Sequence, residues 1–557
     1  MARSAADPKT AAPAILSFKD LRNAVPAGVQ RSTGQGSFLE PRPARIRFLR
    51  SIRGANAAIQ RALFLRRRPA KPSVDRGLVL YRDTNGWCPF CERVWLALEL
   101  MGVDYSVRTV NLQTKDKGFL RLADAFSPTG RSSVPVVTTP DGGYVVWESM
   151  DILHWLSGKT SNDWPGVSGT SESVFAGTDT ARFLSDGTLV QVAKDKGPTR
   201  RIPALDMGSG GSKVTPLPKA TEGQLVYISG VMSAMGKVTA AFGGGPETEE
   251  EKTEAVAKAV QALNALEAAF DEDKGPFLGG DKPSAADCAV APFLGRYPRD
   301  PTVRATKELS ALAEREAGTR WPRIAGWYSA MGKLPAFAAT VEADNFSAAK
   351  LRGTFAAYAL EWSRKAEAGE KLEGPYAKKR SPEEVAALEA RVADSKEACA
   401  AALPSPDEAR AFLASVEFTG MPSARSARVL ARREAAANLA AAGPAVAADA
   451  IKGIAADSAE EDAGAPSTAE AEALVRLIAT ALLSSAPGTP TATLEQSESL
   501  LASDLGADAL DAAACKRIAA VADHIASRLC CPRDMGAPAG AHVRAACVVA
   551  AAVLTAA

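Results

Sequence analysis

The predicted fold class is α/β at the front of the chain and all-α behind it. Three observations carry the prediction. Between Leu78 and Leu156, short apolar runs alternate with amphipathic stretches in the order β-α-β-α-β-β-α. From about Leu225 onward, apolar residues recur at helical spacing. Beyond Leu351, Ala makes up about 30% of the residues, and Ala is the best helix former.

Taken in order, Leu78–Tyr81 (LVLY) suits a buried strand, and RDTNGW supplies a turn with its Asn-Gly pair. Cys88-Pro89-Phe90-Cys91 follows, and ERVWLALELMG reads as a helix. Val94, Leu98 and Met101 share one face, Trp95 lies beside them, and Gly102 is the stop. A second strand fits Tyr105–Asn111, and a helix fits Lys117–Ala125. Val134–Thr138 and Tyr144–Trp147 flank Asp141-Gly142-Gly143 as a hairpin, and Ser149–Leu156 starts a helix. Residues 161–222 are rich in Gly, Ser, Thr, Asp and Pro and enclose one hairpin-like piece, ARFLSDGTLVQVAKD; they read as an insertion. Thr253–Phe270 is a clear helix through Val256, Val260, Leu263, Leu266 and Phe270. Ser284-x-x-Asp287 opens another as a capping box, and Pro322–Leu334 is a short helix halted before Pro335. The helical strings of the last part begin SPEEVAAL, ARSARVL, TAEAEAL and ALDAAAC, separated by Pro, Gly and Ser breaks and without a fixed repeat.

The expected divisions are 1–76, a basic segment; 77–160, the α/β domain; 161–222, the insertion; 223–347, an all-helical domain; and 348–557, the Ala-rich extension. Residues 1–76 hold sixteen Lys and Arg against four Asp and Glu. Arg-rich, acid-poor beginnings resemble transit peptides; a solvated basic arm or a packed helix is the other reading. Helical spacing at Ile46, Leu49, Ile52, Ile59 and Leu63 assigns part of this segment to the folded protein.

Composition excludes more than it selects. A net charge of +2 over 557 residues gives no field for nucleic acid. Eight cysteines are too sparse for a disulfide scaffold and suit a reducing interior. His154, His524 and His542 are scattered, which leaves little material for a zinc site or a Ser-His-Asp triad. The most apolar run, Val543–Ala557, falls short of the ~20 residues of a membrane span and contains Arg544.

Cys88-Pro89-Phe90-Cys91 carries the chemistry. Between a strand and a helix, Cys-x-x-Cys reads as a thioredoxin-like redox site. Pro89 suits the first helical position, where its missing N–H costs nothing. Cys88 then caps the helix, facing free amides and the positive end of the dipole. Both favour thiolate, the nucleophile. Cys91, one turn on, is placed to resolve a mixed disulfide. A structural zinc half-site or two inert thiols are the competing readings, but no second ligand pair of matching spacing is present.

YRDTNGWCPFCERVW, then VPVV, then ESMDIL, resemble the N-terminal domain of the cysteine-type glutathione S-transferases (omega, lambda and glutaredoxin-like). PFLGGDKPSAADCAVAPFL resembles that superfamily's helical C-terminal domain. LYRD before WCPFC, Arg352-Gly353-Thr354 and the segment Cys531–Arg544 are similar to a cyanobacterial and plastid branch with a CPYC-type centre and a helical extension. The implied fold is an α/β thioredoxin-like domain, an all-α glutathione-transferase C-terminal domain and an Ala-rich helical extension.

The resemblance implies glutathione as cosubstrate and no metal. It makes Cys88 the catalytic cysteine, with Cys91 as its partner, and puts Pro89 and Phe90 beside the bound glutathione. It makes Val134-Pro135 the Val–cis-Pro pair that takes the glutathione cysteinyl amide. Glu148 and Ser149 would bind the γ-glutamyl end, and Lys115, or Lys117 near it, the glycyl carboxylate. Tyr227, Met232, Met235 and Phe242 would line the second-substrate pocket; a Met-and-aromatic stripe as plain core is the alternative. Two departures stand out: FSPTGRSSVPVV carries two extra residues before Val134, and residues 161–222 separate the two domains.

The expected function is glutathione-dependent thiol transfer or reduction, acting on glutathionyl mixed disulfides or small oxidants such as dehydroascorbate. A small electrophile or disulfide is the second substrate. The alternative is a non-catalytic scaffold whose helical tail docks a protein partner. Neither nucleic acid nor a membrane span is expected, a homodimer stays open, and a plastid is preferred to the cytoplasm.

Overall fold

A computed structural model describes residues 14–24, 72–84, 86–103, 105–112, 115–157, 181–183, 188–191, 200–206, 214–215, 217–218, 220, 222–241, 248–273, 275–297, 303, 306–313, 320–342, 345–369, 380–414, 424–457, 464–483, 489–531 and 534–556. The helical spacing read at residues 46–63, and Phe242, lie outside these. The chain divides into two compact units: Gly34–Ala343 with Arg352–Ala393, and Met1–Thr33 with Asp344–Leu351 and Asp394–Ala557. The first helix, α1 (Phe18–Ala24), belongs to the second unit.

The front of the first unit follows the expected order. β1 (Leu78–Asp83), α2 (Pro89–Met101), β2 (Tyr105–Val110), α3 (Lys117–Phe126), β3 (Val136–Thr138), β4 (Val145–Trp147) and α4 (Ser149–Leu156) succeed one another. The sheet order is β2-β1-β3-β4. β1 runs parallel to β2 with Leu78 opposite Tyr105, and antiparallel to β3 with Leu80 opposite Val137. The crossover helix α2 buries Val94, Trp95, Leu96, Leu98 and Met101 against this sheet. Gly102 ends it at φ 69°, the left-handed conformation that glycine adopts without a Cβ penalty.

The insertion is more ordered than one hairpin. β5 (Ala181–Phe183), β6 (Leu189–Gln191) and β7 (Arg200–Ile202) form an antiparallel sheet with β6 in the middle. Leu189 and Ile202 lie in the same buried cluster as Leu80 and Leu153. A three-residue strand such as Arg200–Ile202 is too short to show a period, which is why β7 escaped the sequence reading.

The helical domain contains α5 (Glu222–Ala241), α6 (Glu249–Asp273), α7 (Ala285–Leu294), α8 (Pro322–Gly332) and α9 (Pro335–Thr340). Pro335 begins α9 as well as stopping what precedes it. The α7 cap is a full capping box. Ser284 Oγ accepts from the Ala286 amide, and the Asp287 carboxylate accepts from the Ser284 amide at 2.7 Å. Asp287 also takes the Leu278 amide and Trp327 Nε1. Its burial is therefore compensated by five donors, counting the Ser284 hydroxyl and the Gly279 amide. α10 (Asn345–Glu367) and α11 (Pro382–Ala401) follow, joined by the Arg380 guanidinium on Ser363 Oγ at 2.7 Å.

The second unit is built of Ala-rich helices: α12 (Pro406–Ala414), α13 (Ala424–Asp457), α14 (Thr468–Leu483), α15 (Thr489–Leu494), α16 (Ser497–Asp504), α17 (Ala512–Arg528) and α18 (Ala537–Ala556). α1 is part of this unit's core: Leu21 is fully buried, the Leu16 amide meets Thr480 Oγ1 at 3.1 Å, and Arg22 reaches the Ala440 carbonyl. Gly443 allows it, because a Cβ there would overlap the Phe18 ring at 2.1 Å. A cleaved leader extending past Ala24 would remove these contacts.

α18 reaches back to Ala537, beyond the Val543–Ala557 run, and its 20 residues are long and apolar enough to cross a membrane. Two-thirds of its most apolar stretch is buried inside the fold. Arg544 on it donates to the Leu529 carbonyl at 3.0 Å, and His542 lies 4.8 Å from the Phe412 ring. These contacts are those of a core helix.

Ser284→Ala is expected to destabilise the first unit by about 1–2 kcal/mol, the usual worth of an N-cap. Denaturant unfolding followed by the tryptophans checks it, with the midpoint falling and the slope unchanged.

Candidate active site

The site is assembled where β1 hands over to α2. Cys88 is the N-cap of α2, with φ −70° and ψ 112°, and Pro89 is the first helical residue. Cys88 is half-buried and Cys91 is 1% exposed. The Cys91 thiol lies within 4.8 Å of the Cys88 sulfur, and its hydrogen is the main influence holding the Cys88 thiol below its ordinary range. The Cys91 and Phe90 amides add to it, while burial and the Asp83 carboxylate work against it. Burial pushes Cys91 well up, reinforced by the neighbouring Cys88 sulfur and its charge. The two thiols are therefore unequal, Cys88 the more acidic and Cys91 the one that keeps its proton. The neighbouring thiol thus outweighs the helix amides that the residue pattern alone suggests.

Asp83 closes this group. One carboxylate oxygen takes the Trp87 amide at 2.8 Å, and the other, Oδ1, is buried without a hydrogen bond. A carboxylate oxygen of Asp83 and the sulfurs of Cys88 and Cys91 lie within 4.8 Å of one another. These three are the residues that could hold a metal among those described.

The peptide bond Val134-Pro135 is cis. Val134 is buried in one cluster with Cys91, Val136 and Trp147, and Cys88 packs on that cluster. Ser149 is the first residue of α4 and is buried, and Glu148 before it stands at φ 64° and ψ 124°. Burial raises the Glu148 carboxyl, opposed by Arg131. Lys115 Nζ donates to Ser132 Oγ at 2.9 Å, and Trp147 Nε1 to Ser133 Oγ at 3.1 Å. The lengthened loop before Val134 thus contributes two hydroxyls beside the predicted residues. Phe90 is exposed, edge-on to Phe293 at 6.1 Å.

Two charged residues of α2 were not singled out from the sequence. Arg93 is 3% exposed and joins the domains: Nε donates to the Ala289 carbonyl at 2.8 Å, Nη1 to Ser149 Oγ at 3.2 Å and Nη2 to Met232 Sδ at 2.6 Å. Its guanidinium lies about 5 Å from the Phe90 and Phe293 rings. Burial lowers its pKa to about 10, and the Cys88 charge opposes that. Glu92 pairs with Arg296 at 2.5 Å, and Arg296 also donates to the Trp87 carbonyl. Burial nevertheless raises Glu92 to about 8, and its Oε2 has no hydrogen bond. The signal was present: adjacent charges inside an otherwise apolar helix.

The structure thus gathers Cys88, Cys91, Phe90, Val134 and, through Arg93, Ser149 and Met232. Met235 is a correction. It is fully buried in the helical core and offers no surface to a substrate, because it points to the inner face of α5. Tyr227 packs half-buried on the same core.

Comparisons with known proteins match these two domains. Residues 87–159 match the glutathione S-transferase N-terminal domain and residues 249–330 the glutathione S-transferase C-terminal domain. A probable glutathione S-transferase, GSTU6 of Oryza sativa subsp. japonica, is 49% identical over 55 residues, 10% of this chain. The chain spans 23% of that relative's length. Among solved structures, it is similar to a Leishmania trimeric glutathione transferase (19% identity, 48% of this chain and 46% of that one, TM-score 0.29). It is also similar to a Tau class glutathione S-transferase from mango, Mangifera indica (16% identity, 47% and 90%, TM-score 0.31). The α/β and helical domains of this chain are thus similar to the N-terminal and C-terminal domains of glutathione S-transferases.

The raised Glu92 fixes a sign. Between its ordinary value near 4.5 and about 8, the folded protein holds a proton that the unfolded chain releases. Stability is therefore lost as pH rises through that window. Glu92→Gln, neutral at every pH, is expected to lose less stability than wild type between pH 5 and 8, measured by denaturant midpoints.

Proposed function

We propose that the chain is a glutathione-dependent thioltransferase or reductase. The observation that carries this reading is the sulfur of Cys88, at the start of α2 with the Cys91 thiol beside it. The Cys88 thiolate attacks the glutathione-side sulfur of a mixed disulfide R–S–S–G. The S–S bond breaks, Cys88–S–S–G forms, and RS⁻ leaves to take a proton from water. A second glutathione thiolate then attacks the glutathione sulfur, releasing GSSG and restoring the Cys88 thiolate. Alternatively Cys91, once deprotonated, displaces glutathione to form the Cys88–Cys91 disulfide, which two glutathione molecules reduce.

In the same reading the cis Val134-Pro135 backbone takes the glutathione cysteinyl amide. Ser149 and the α4 amides take the γ-glutamyl carboxylate, Glu148 its ammonium, and Lys115 the glycyl carboxylate. Pro89 and Phe90 border the bound tripeptide. Phe90, Phe293 and Met232 offer an apolar face to a small disulfide or an oxidant such as dehydroascorbate, with Arg93 beneath it. The basic start and the resemblance support a place in the cyanobacterial and plastid branch and a plastid location. A homodimer, and a protein partner for residues 348–557, belong to the same proposal.

The test is turnover of a small glutathionyl disulfide with glutathione. Cys88→Ser is expected to fall to background, while Cys91→Ser keeps the monothiol route. Equal turnover by wild type and Cys88→Ser would remove the enzymatic reading and leave the scaffold.

A further inference from the structure

One side chain of the inserted sheet reaches the Glu148 turn from both sides. At φ 64° Glu148 holds a conformation that a residue with a Cβ keeps only where its surroundings over-determine it. Trp147 precedes it at the end of β4, and Asp151 follows in the first turn of α4. Gln191, the last residue of β6, donates from Nε2 to the Trp147 carbonyl at 2.9 Å and to Asp151 Oδ2 at 3.0 Å. Both hydrogens of the amide are thereby used, one on each side of Glu148. Gln191 is 1% exposed and Asp151 2%, so water does not substitute for either bond.

The sheet that supplies this amide is anchored. β6 is paired along both edges, and Leu189 beside Gln191 belongs to the domain's core. A second tie holds the other end of α4: Trp155 Nε1 donates to the Pro203 carbonyl, just after β7, at 2.9 Å. The insertion therefore grips α4 at its first and last turns.

We propose that the inserted sheet is a working part of the glutathione site, with Gln191 as a positioning residue. It holds the Trp147–Asp151 turn so that Glu148 and Ser149 meet the γ-glutamyl end of glutathione. The inference rests on those two residues binding glutathione. Gln191 itself acts through the turn, so its loss falls on recognition of the γ-glutamyl group and not on the sulfur of Cys88, which a different helix carries.

The experiment compares a mixed disulfide of glutathione with the matching mixed disulfide of cysteinylglycine, which lacks the γ-glutamyl group, as oxidised substrate, with glutathione as reductant held at one saturating concentration. Gln191→Met keeps the side-chain volume and removes both donors. Its KM for the glutathionyl disulfide is expected to rise about tenfold, from one hydrogen bond to a carboxylate and one to a carbonyl. Its kcat at saturating glutathionyl disulfide, and its kcat/KM with the cysteinylglycine disulfide, are expected to stay at wild-type values. Arg201→Ala, on the exposed side of β7, is the control and is expected to match wild type throughout. Gln191→Leu, should Gln191→Met not fold, removes the same donors and is expected to raise the same KM. An unchanged KM for the glutathionyl disulfide, or equal losses with both disulfides, would overturn the positioning role. A wild type that uses both disulfides equally would instead overturn the binding role of Glu148 and Ser149.

Discussion

The proposed chemistry rests on the juxtaposition of two thiols, the sulfurs of Cys88 and Cys91 lying within 4.8 Å of each other. Two thiols at this spacing are held unequal by their surroundings. Cys88 caps α2, where amides and the neighbouring Cys91 thiol favour its charge. Cys91 lies one turn deeper, and burial keeps its proton on. In the proposed reaction, that asymmetry separates the attacking sulfur from the resolving one. Asp83 limits it from the other side, raising both thiols across less than 5 Å.

The same helix joins the two domains. Arg93 bonds a carbonyl of α7, a hydroxyl of α4 and a sulfur of α5, and Glu92 meets Arg296. Buried charges of this kind are weak sources of net stability, since desolvation cancels much of their attraction. Their value lies in geometry: the guanidinium fork fixes where Ser149 and Met232 stand relative to Cys88. The strain at Glu148 depends on a similar over-determination, supplied from the inserted sheet by Gln191.

Much of this was legible in the residues. The alternation from Leu78 to Leu156 set out the α/β order because buried strands and amphipathic helices have different periods. Pro89 placed Cys88 at a helix start, and Ser284 with Asp287 announced a cap that the structure contains in full. What escaped reading shares a cause. Gln191, Arg93 and Arg296 matter through partners 40 to 209 residues away. No local pattern reports such contacts. Met235 illustrates the converse: a helical stripe of Met and aromatic residues looks the same whether it lines a pocket or a core, and here Met235 lies in the core.

The account turns on whether the Cys91 thiol lowers the Cys88 pKa, and a thiolate absorbance titration measures that directly. Wild type is expected to ionise one thiol below the ~8.5 of free cysteine. Cys91→Ala is expected to move that transition upward by removing the neighbouring thiol. A Cys88 thiol that ionises above 8.5, or whose midpoint is the same with and without Cys91, would contradict the account.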